Sequence, residues 1–307
     1  MFSLSTVWNC GKSLSGREMI DEIKALGFKR IELNFSLTES IVQEIVQLHK
    51  NGEADISSLH NYCPAPPGIE LKYATPDCYS LASLNDEERA KAVHYTKRTI
   101  DTAYSLNARA VVLHCGRVEI EEKTRRLSEM YSQGMKDTRF YNIFKSAMIK
   151  ERAEKRDVHL DAVCRSLEEL SKYASGKDIK IGLENRYYYR EIPTHDEIGM
   201  ILNRFQGSNI FYWHDVGHAQ IFENLGLARH IDYLEPNAYR IIGFHLHDIE
   251  GTKDHKSPHS GKFNFHILEP YVNNGTLKVL EIHPPATAGD IKRGVAYLNK
   301  IFGEGES

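Results

Sequence analysis

The stretch FYWHDVGHAQ, residues 211–220, holds the choice of fold. Its large apolar side chains end at His214 and Asp215, and His218 follows three positions after Asp215. An unbroken apolar run reads as a strand buried on both faces, and the carboxylate after it as that strand's end. Asp215 is then one of two things. It is a helix N-cap accepting a free backbone N–H, or it is a ligand or acid/base group at the mouth of a fold. What the other strand-like runs end with decides between them.

The same unit, an apolar run followed by an amphipathic segment, recurs outward from this stretch. FSLSTVW precedes SGREMIDEIKALG, in which Met19, Ile20, Ile23 and Leu26 share one helical face and Gly27 supplies a stop. RIELNF, DISSLHNY, ARAVVLHCG, KIGLENR, NIFYWHD, YRIIGFHLHD and LKVLEIHP are the further strands, and TAGDIKRGVAYLNKIF closes the series as a helix. Eight such units in 307 residues is the arithmetic of an α/β chain folded as a (β/α)8 barrel. A doubly wound open sheet would want a Gly-rich phosphate loop after its first strand, and WNCGKSLSG carries no GxGxxG. Residues 117–157 do not fit the repeat. Their charged, helix-prone sequence predicts a helical excursion after strand four, either a lid or oligomer contact over the mouth or a merely solvated hairpin. Residues 159–174 are expected to form the crossover helix that follows.

Composition agrees with a globular chain: 41% of residues are hydrophobic and 26% charged. A chain this long buries enough surface to fold without disulfides or a structural metal. The formal net charge of −3 offers no electrostatic footprint for a nucleic-acid backbone. The five cysteines are odd in number and lack CxxC spacing. That points to a reducing, cytoplasmic setting and away from a disulfide framework or a thiolate zinc site. MFSLSTVWNC has no basic region ahead of a long apolar run, so no signal peptide is expected. No run of about 18 apolar residues occurs, and no membrane partner is expected.

Compared at their ends, six of the eight runs carry a side chain able to bind metal or move a proton. These are His60; His114; Glu184; Asp215, with His218 behind it; His245 and His247, with Asp248 next; and Glu281, with His283. In a barrel these ends converge on one mouth. A lone histidine at a strand end is more often a hydrogen-bonded structural residue. Glu184 and Glu281 carry more weight. A carboxylate closing a buried apolar strand is costly unless a cation or hydrogen bonds replace its hydration. Several carboxylates gathered there repel one another, and a divalent metal resolves the conflict. Carboxylate and imidazole without thiolate suit Mn2+, Mg2+, Co2+ or Zn2+. His245 and His247 face the same side of their strand under period-two alternation. His245, nearer the strand body, is favoured as ligand, with His247 as the alternative. Arg186, two residues past Glu184, either binds a substrate oxygen or only neutralises the acidic rim. The tyrosines of NRYYYRE are either an aromatic wall for a sugar or packing beneath the 117–157 excursion.

The motifs LHN, VVLHCG, LEN, HDVGHA, FHLHDIEGTKDH and LEIHP together resemble the xylose-isomerase-like barrel superfamily. That superfamily includes sugar isomerases and epimerases, hydroxypyruvate isomerase and endonuclease IV. The resemblance runs from EMIDEIKALGFKRIEL to VLEIHP, nearly the whole chain. It implies one TIM barrel domain over residues 1–307, with 117–157 as an insertion. It further implies that Glu184, Asp215, His245 (or His247) and Glu281 hold one divalent ion and that the two glutamates move protons. His218, of the Asp-x-x-His pair, would hydrogen-bond a substrate oxygen. His60, His114, Arg186, His247 and His255 are assigned to substrate binding beside it.

The activity implied is isomerisation or epimerisation of a sugar or small polyol carbonyl compound. One glutamate removes the proton beside the carbonyl, giving an enediolate, and the other returns it. The alternative is an endonuclease IV-like zinc phosphodiesterase. That reading implies three zinc ions, with His60 and His114 matching two further ligands and Asp254 and His255 approaching an Asp-x-His pair. Here the two residues are adjacent, and His259 stands where glycine is usual. The acidic balance also argues against nucleic acid. A non-catalytic sugar-binding barrel is the third reading. The expected partner is a small sugar-like molecule, and a homo-oligomer would use the excursion.

Overall fold

The eight apolar runs become the staves of one closed parallel barrel. A computed structural model describes residues 1–12 and 14–303. The first seven staves are β1 (Ser3–Ser5), β2 (Arg30–Leu33), β3 (Ile56–His60), β4 (Ala110–Leu113), β5 (Lys180–Glu184), β6 (Ile210–Asp215) and β7 (Ile241–Leu246). A short antiparallel hairpin, β8 (Asp248–Glu250) and β9 (Lys253–Lys256), follows β7. The last stave is β10 (Leu277–Leu280), which pairs with both β1 and β7 to close the ring in the order β1-β10-β7-β6-β5-β4-β3-β2. The (β/α)8 expectation holds, because parallel neighbours need the long crossovers that the amphipathic segments supply.

Those crossovers carry α1 (Gly16–Ala25), α2 (Glu39–Lys50), α3 (Asp86–Ser105), α4 (Thr124–Ser132), α5 (Arg139–Ser175), α6 (His195–Arg204), α7 (Val216–Leu225), α8 (Ile231–Leu234) and α9 (Ala288–Phe302). Their limits follow local chemistry. Ser15 and Glu18 form a reciprocal capping box at α1, and Thr287 and Asp290 do the same at α9. No helix among the described residues is long and apolar enough to cross a membrane.

Three expectations change in detail. The first strand stops at Ser5, whose hydroxyl accepts the Val7 N–H and starts a turn. The strands carrying His114, His247 and Glu281 end one residue before each of them, so these side chains leave the first residue of a loop. The excursion and the crossover helix are not separate. α5 runs 37 residues from Arg139 to Ser175, because no glycine or proline interrupts it. Nor is the excursion only solvated: Leu127 and Met130 of α4 and Tyr141 and Met148 of α5 are buried. The Tyr141 hydroxyl donates to the Leu225 carbonyl at 2.9 Å, and buried Arg152 grips Glu197 through both guanidinium nitrogens at 2.6 and 2.8 Å.

Inside the barrel, the layer beneath the mouth is filled by one large ring. Trp213 packs with Ala110, Val112, Leu277 and Val279, and its ring meets that of His245 edge-on at 5.2 Å. Gly182 and Gly243 on the flanking strands make the room. A Cβ on Gly243 would lie 2.3 Å from Trp213 Cζ3, and one on Gly182 3.1 Å from Trp213 Cβ. Gly243→Ala should therefore overpack this floor and lower stability by about 1–3 kcal/mol. Urea unfolding of the variant measures this, and an unchanged midpoint would show that the floor has slack.

Candidate metal centre

Four side chains rise from four neighbouring staves above the Trp213 floor. Glu184 ends β5, Asp215 ends β6, His245 is on β7 and Glu281 follows β10. One ligand atom from each lies within 4.8 Å of all the others, and none of the four is more than 5% exposed. His245 is at the centre. Its Nδ1 is 2.8 Å from Glu184 Oε1, 3.3 Å from Glu281 Oε2 and 3.9 Å from Asp215 Oδ2.

The other nitrogen of His245 finds a residue that the sequence reading did not single out. Its Nε2 is 3.1 Å from Oε1 of Glu32, a fully buried carboxylate on β2, and Ser58 Oγ donates to Glu32 Oε2 at 2.8 Å. The signal was present in RIEL, a charge between two apolar residues of a buried strand. Once the ring is neutral, an Nε2–H donated to Glu32 would leave the Nδ1 lone pair facing the other three carboxylates, the arrangement that orients a metal-binding imidazole.

Without a cation this group is electrostatically strained. Burial pushes the Glu281 carboxyl up to about 8, with Glu184, Asp215 and Glu32 adding to the push and His245 opposing it. Burial alone would lower His245. The carboxylates of Glu281, Glu32 and Glu184 outweigh it and hold the imidazole well above its ordinary range. Three carboxylate donors and one imidazole, all buried and with no thiolate, fit a hard or borderline divalent ion. Glu184, Asp215, His245 and Glu281 are the residues that could hold it.

Asp215 is the helix cap that FYWHDVGHAQ allowed, and it also sits among the other candidate ligands. Its Oδ1 accepts the His218 N–H at 2.7 Å and caps α7, while its carboxylate also belongs to the cluster. Asn185 clamps the strand end, accepting the Asp215 N–H at 2.7 Å and donating to the Asp215 carbonyl at 2.8 Å. The backbone N–H of His255 donates to His247 Nδ1 at 2.9 Å, so His247 carries its proton on Nε2 and donates it to Asp215 Oδ2 at 3.0 Å. Both nitrogens of His247 are thus engaged. His247 also falls in a ligand-type group with His255 and Glu281, whereas His245 turns its Nδ1 to Glu184, Asp215 and Glu281. Gly217 makes space here, since a Cβ on it would lie 2.2 Å from His247 Cε1.

A second group lies beside the first. His218 donates Nδ1–H to the Asn185 carbonyl at 2.9 Å, and His255 donates Nδ1–H to the Glu281 carbonyl at 3.2 Å. Both Nε2 lone pairs are then free. They lie 3.8 and 3.9 Å from Asp254 Oδ2, a buried oxygen with no hydrogen-bond partner among the described residues. Asp254 and His255 are adjacent on β9, where alternation would point them apart. His255 has φ of 52°, in the left-handed region, and this turns both toward His218.

The third group surrounds the outer oxygen of Glu184. His60 Nε2 is 3.2 Å and His114 Nε2 2.8 Å from Glu184 Oε2. Arg186 reaches into it, touching His114 Nε2 and lying 3.8 Å from Glu184 Oε2. Of the tyrosine run, Tyr188 accepts from Arg125 of α4 and the Tyr189 N–H donates to Thr124 Oγ1, so these two pack beneath the excursion. Tyr187 instead sets its ring edge-on to His218 at 6.0 Å. His214 faces away from the mouth, bonded to the Tyr212 hydroxyl at 2.6 Å and to His230 at 2.9 Å.

Residues 20–301 match the model of the xylose isomerase-like TIM barrel family. No curated protein sequence matches the chain. Among solved structures, a D-tagatose 3-epimerase-like protein is 20% identical with a TM-score of 0.67, over 98% of this chain and 97% of that one. The 3-keto-D-glucoside 4-epimerase of E. coli is 16% identical with a TM-score of 0.68, over 97% and 98%. A Thermus thermophilus protein soaked with zinc chloride is 17% identical with a TM-score of 0.57, over 100% and 98%. At these identities the likeness is one of fold.

Glu32→Gln tests the support of His245. It should weaken binding of Mn2+ or Zn2+ by about 10–100-fold while leaving the fold intact. Competition against a fluorescent chelator measures this, with circular dichroism as the folding control. Unchanged affinity would remove Glu32 from the centre.

Proposed function

The chain belongs to the xylose isomerase-like TIM barrel family, and from that premise we propose that it is a divalent-metal-dependent isomerase or epimerase of a sugar or similar polyol carbonyl compound. The observation that carries the reading is the convergence of Glu184 and Glu281, from separate staves, on one buried group with Asp215 and His245. An ion held there supplies Lewis-acid polarisation of substrate oxygens. The chain's own side chains do the rest. One glutamate takes the proton from the carbon beside the carbonyl, and the other delivers a proton back to the substrate carbon. His218 Nε2, whose lone pair is free, accepts from a substrate hydroxyl. Two neighbours of the same fold are named as epimerases of sugars or as like one, which supports the substrate class.

One observation favours a second reading, a phosphodiesterase working with more than one metal ion. The His218–Asp254–His255 group has two free imidazole lone pairs and an orphaned buried carboxylate oxygen, the donor set of a further ion site.

The two are separated by incubating the Mn2+- or Co2+-loaded protein with a ketose panel in D2O and following C–H exchange by NMR. Exchange is expected with at least one ketose, lost on chelation. Glu281→Gln should lower it by about 10²–10⁴-fold. Absence of exchange together with cleavage of abasic DNA would establish the second reading instead.

A further inference from the structure

The His60–His114–Glu184 group has the donors of an ion site, yet the chain has already filled it. His60 donates Nδ1–H to the Asn61 carbonyl at 3.1 Å, so its Nε2 turns a lone pair toward Glu184 Oε2. His114 donates Nδ1–H to Asp77 Oδ2 at 3.0 Å, and in the neutral form that a metal site requires its Nε2 would turn a second lone pair to the same oxygen, 2.8 Å away. Three electron-rich atoms facing one another repel unless a cation or a hydrogen-bond donor lies among them. In the His218–Asp254–His255 group nothing among the described residues fills the corresponding place, and Asp254 Oδ2 has no partner.

Here a guanidinium does. Arg186 is 5% exposed. Its Nη1 contacts His114 Nε2 and lies 3.8 Å from Glu184 Oε2. Its Nη2 is held by Asp77 Oδ2 at 3.0 Å and Glu191 Oε1 at 3.3 Å. These two anchors come from separate loops. Asp77 lies between β3 and α3, and Glu191 follows the tyrosine run, where its Oε2 accepts the Tyr188 N–H at 2.9 Å. Two carboxylates on one side and two ligand-type atoms on the other fix the direction in which the guanidinium points. An arginine is permanently charged and cannot be titrated away, so it competes with a metal ion at every working pH.

We propose that Arg186 is a built-in cation that takes the place of a metal ion at His60, His114 and Glu184, and so limits how many ions the mouth can load. The inference rests on reading Glu184 as a ligand of the neighbouring centre, which it would otherwise share with a second ion. Its consequence is chemical. On this side of Glu184 the substrate meets N–H donors carrying a single charge and not a second Lewis acid, which suits a neutral polyol better than a phosphodiester.

The test counts ions. The purified protein and its variants are dialysed to equilibrium against Co2+ or Zn2+, and bound metal is measured by mass spectrometry. Arg186→Met, neutral and of similar length, should bind one more ion per chain than the wild type. Adding His60→Ala to it should remove that extra ion. Arg186→Lys, which keeps the charge, should hold the wild-type count. A folded Arg186→Met protein with the wild-type count would overturn the proposal. If Arg186→Met does not fold, His60→Ala alone decides: an unchanged count supports the proposal, and the loss of one ion refutes it. A wild type that binds no ion would sink the metal-dependent function, while the difference between wild type and Arg186→Met would still judge Arg186.

Discussion

Everything at the mouth of this barrel answers to one constraint. Glu32, Glu184, Asp215 and Glu281 are buried around a single imidazole, that of His245. Carboxylates taken out of water cost several kcal/mol each unless charge and hydrogen bonds replace the lost hydration. One imidazolium cannot balance four of them, and burial, with the neighbouring carboxylates adding to it, pushes the Glu281 carboxyl up to about 8. Under the proposed function, a divalent ion beside His245 would relieve the repulsion and free the glutamates to act as bases.

The scaffold exists to hold that arrangement. Parallel closure aims the ends of β5, β6, β7 and β10 at one point, and Trp213 props His245 from below in space vacated by Gly182 and Gly243. Asn185 and the α7 cap fix Asp215 from both sides. The same economy appears at the rim. One backbone N–H, from His255, settles which nitrogen of His247 carries the proton. The four ligand-type groups of the mouth overlap: Glu184, His255 and Glu281 each belong to two of them, so a change at Glu184 would be felt in both of its groups.

The barrel was legible because short apolar runs alternate with amphipathic segments, and six of the eight runs close on a side chain that apolar burial cannot explain. Glu184, Asp215, His245 and Glu281 stood out on that ground, and the structure brings them together. Glu32 did not, because one acidic residue within RIEL is ordinary until closure sets β2 within reach of His245. His245 and His247 could not be told apart by alternation, since both lie on one face; the distinction lies in a backbone N–H eight residues on. Arg186 was equally ambiguous, because its anchor Asp77 is 109 residues away in a loop. The boundary expected between the excursion and the crossover helix followed a change in charge. Helix continuity follows backbone chemistry, and nothing in residues 139–175 breaks it.

The buried carboxylates of Glu184, Asp215 and Glu281 are proposed to gather around a divalent ion shared with His245. Crystals grown with Mn2+ or Co2+ and measured at the metal absorption edge test this directly. An anomalous peak bonded to Glu184, Asp215, Glu281 and Nδ1 of His245 at about 2.0–2.2 Å is expected. No peak at that point, or an ion held by His247 with His245 outside its shell, would contradict it.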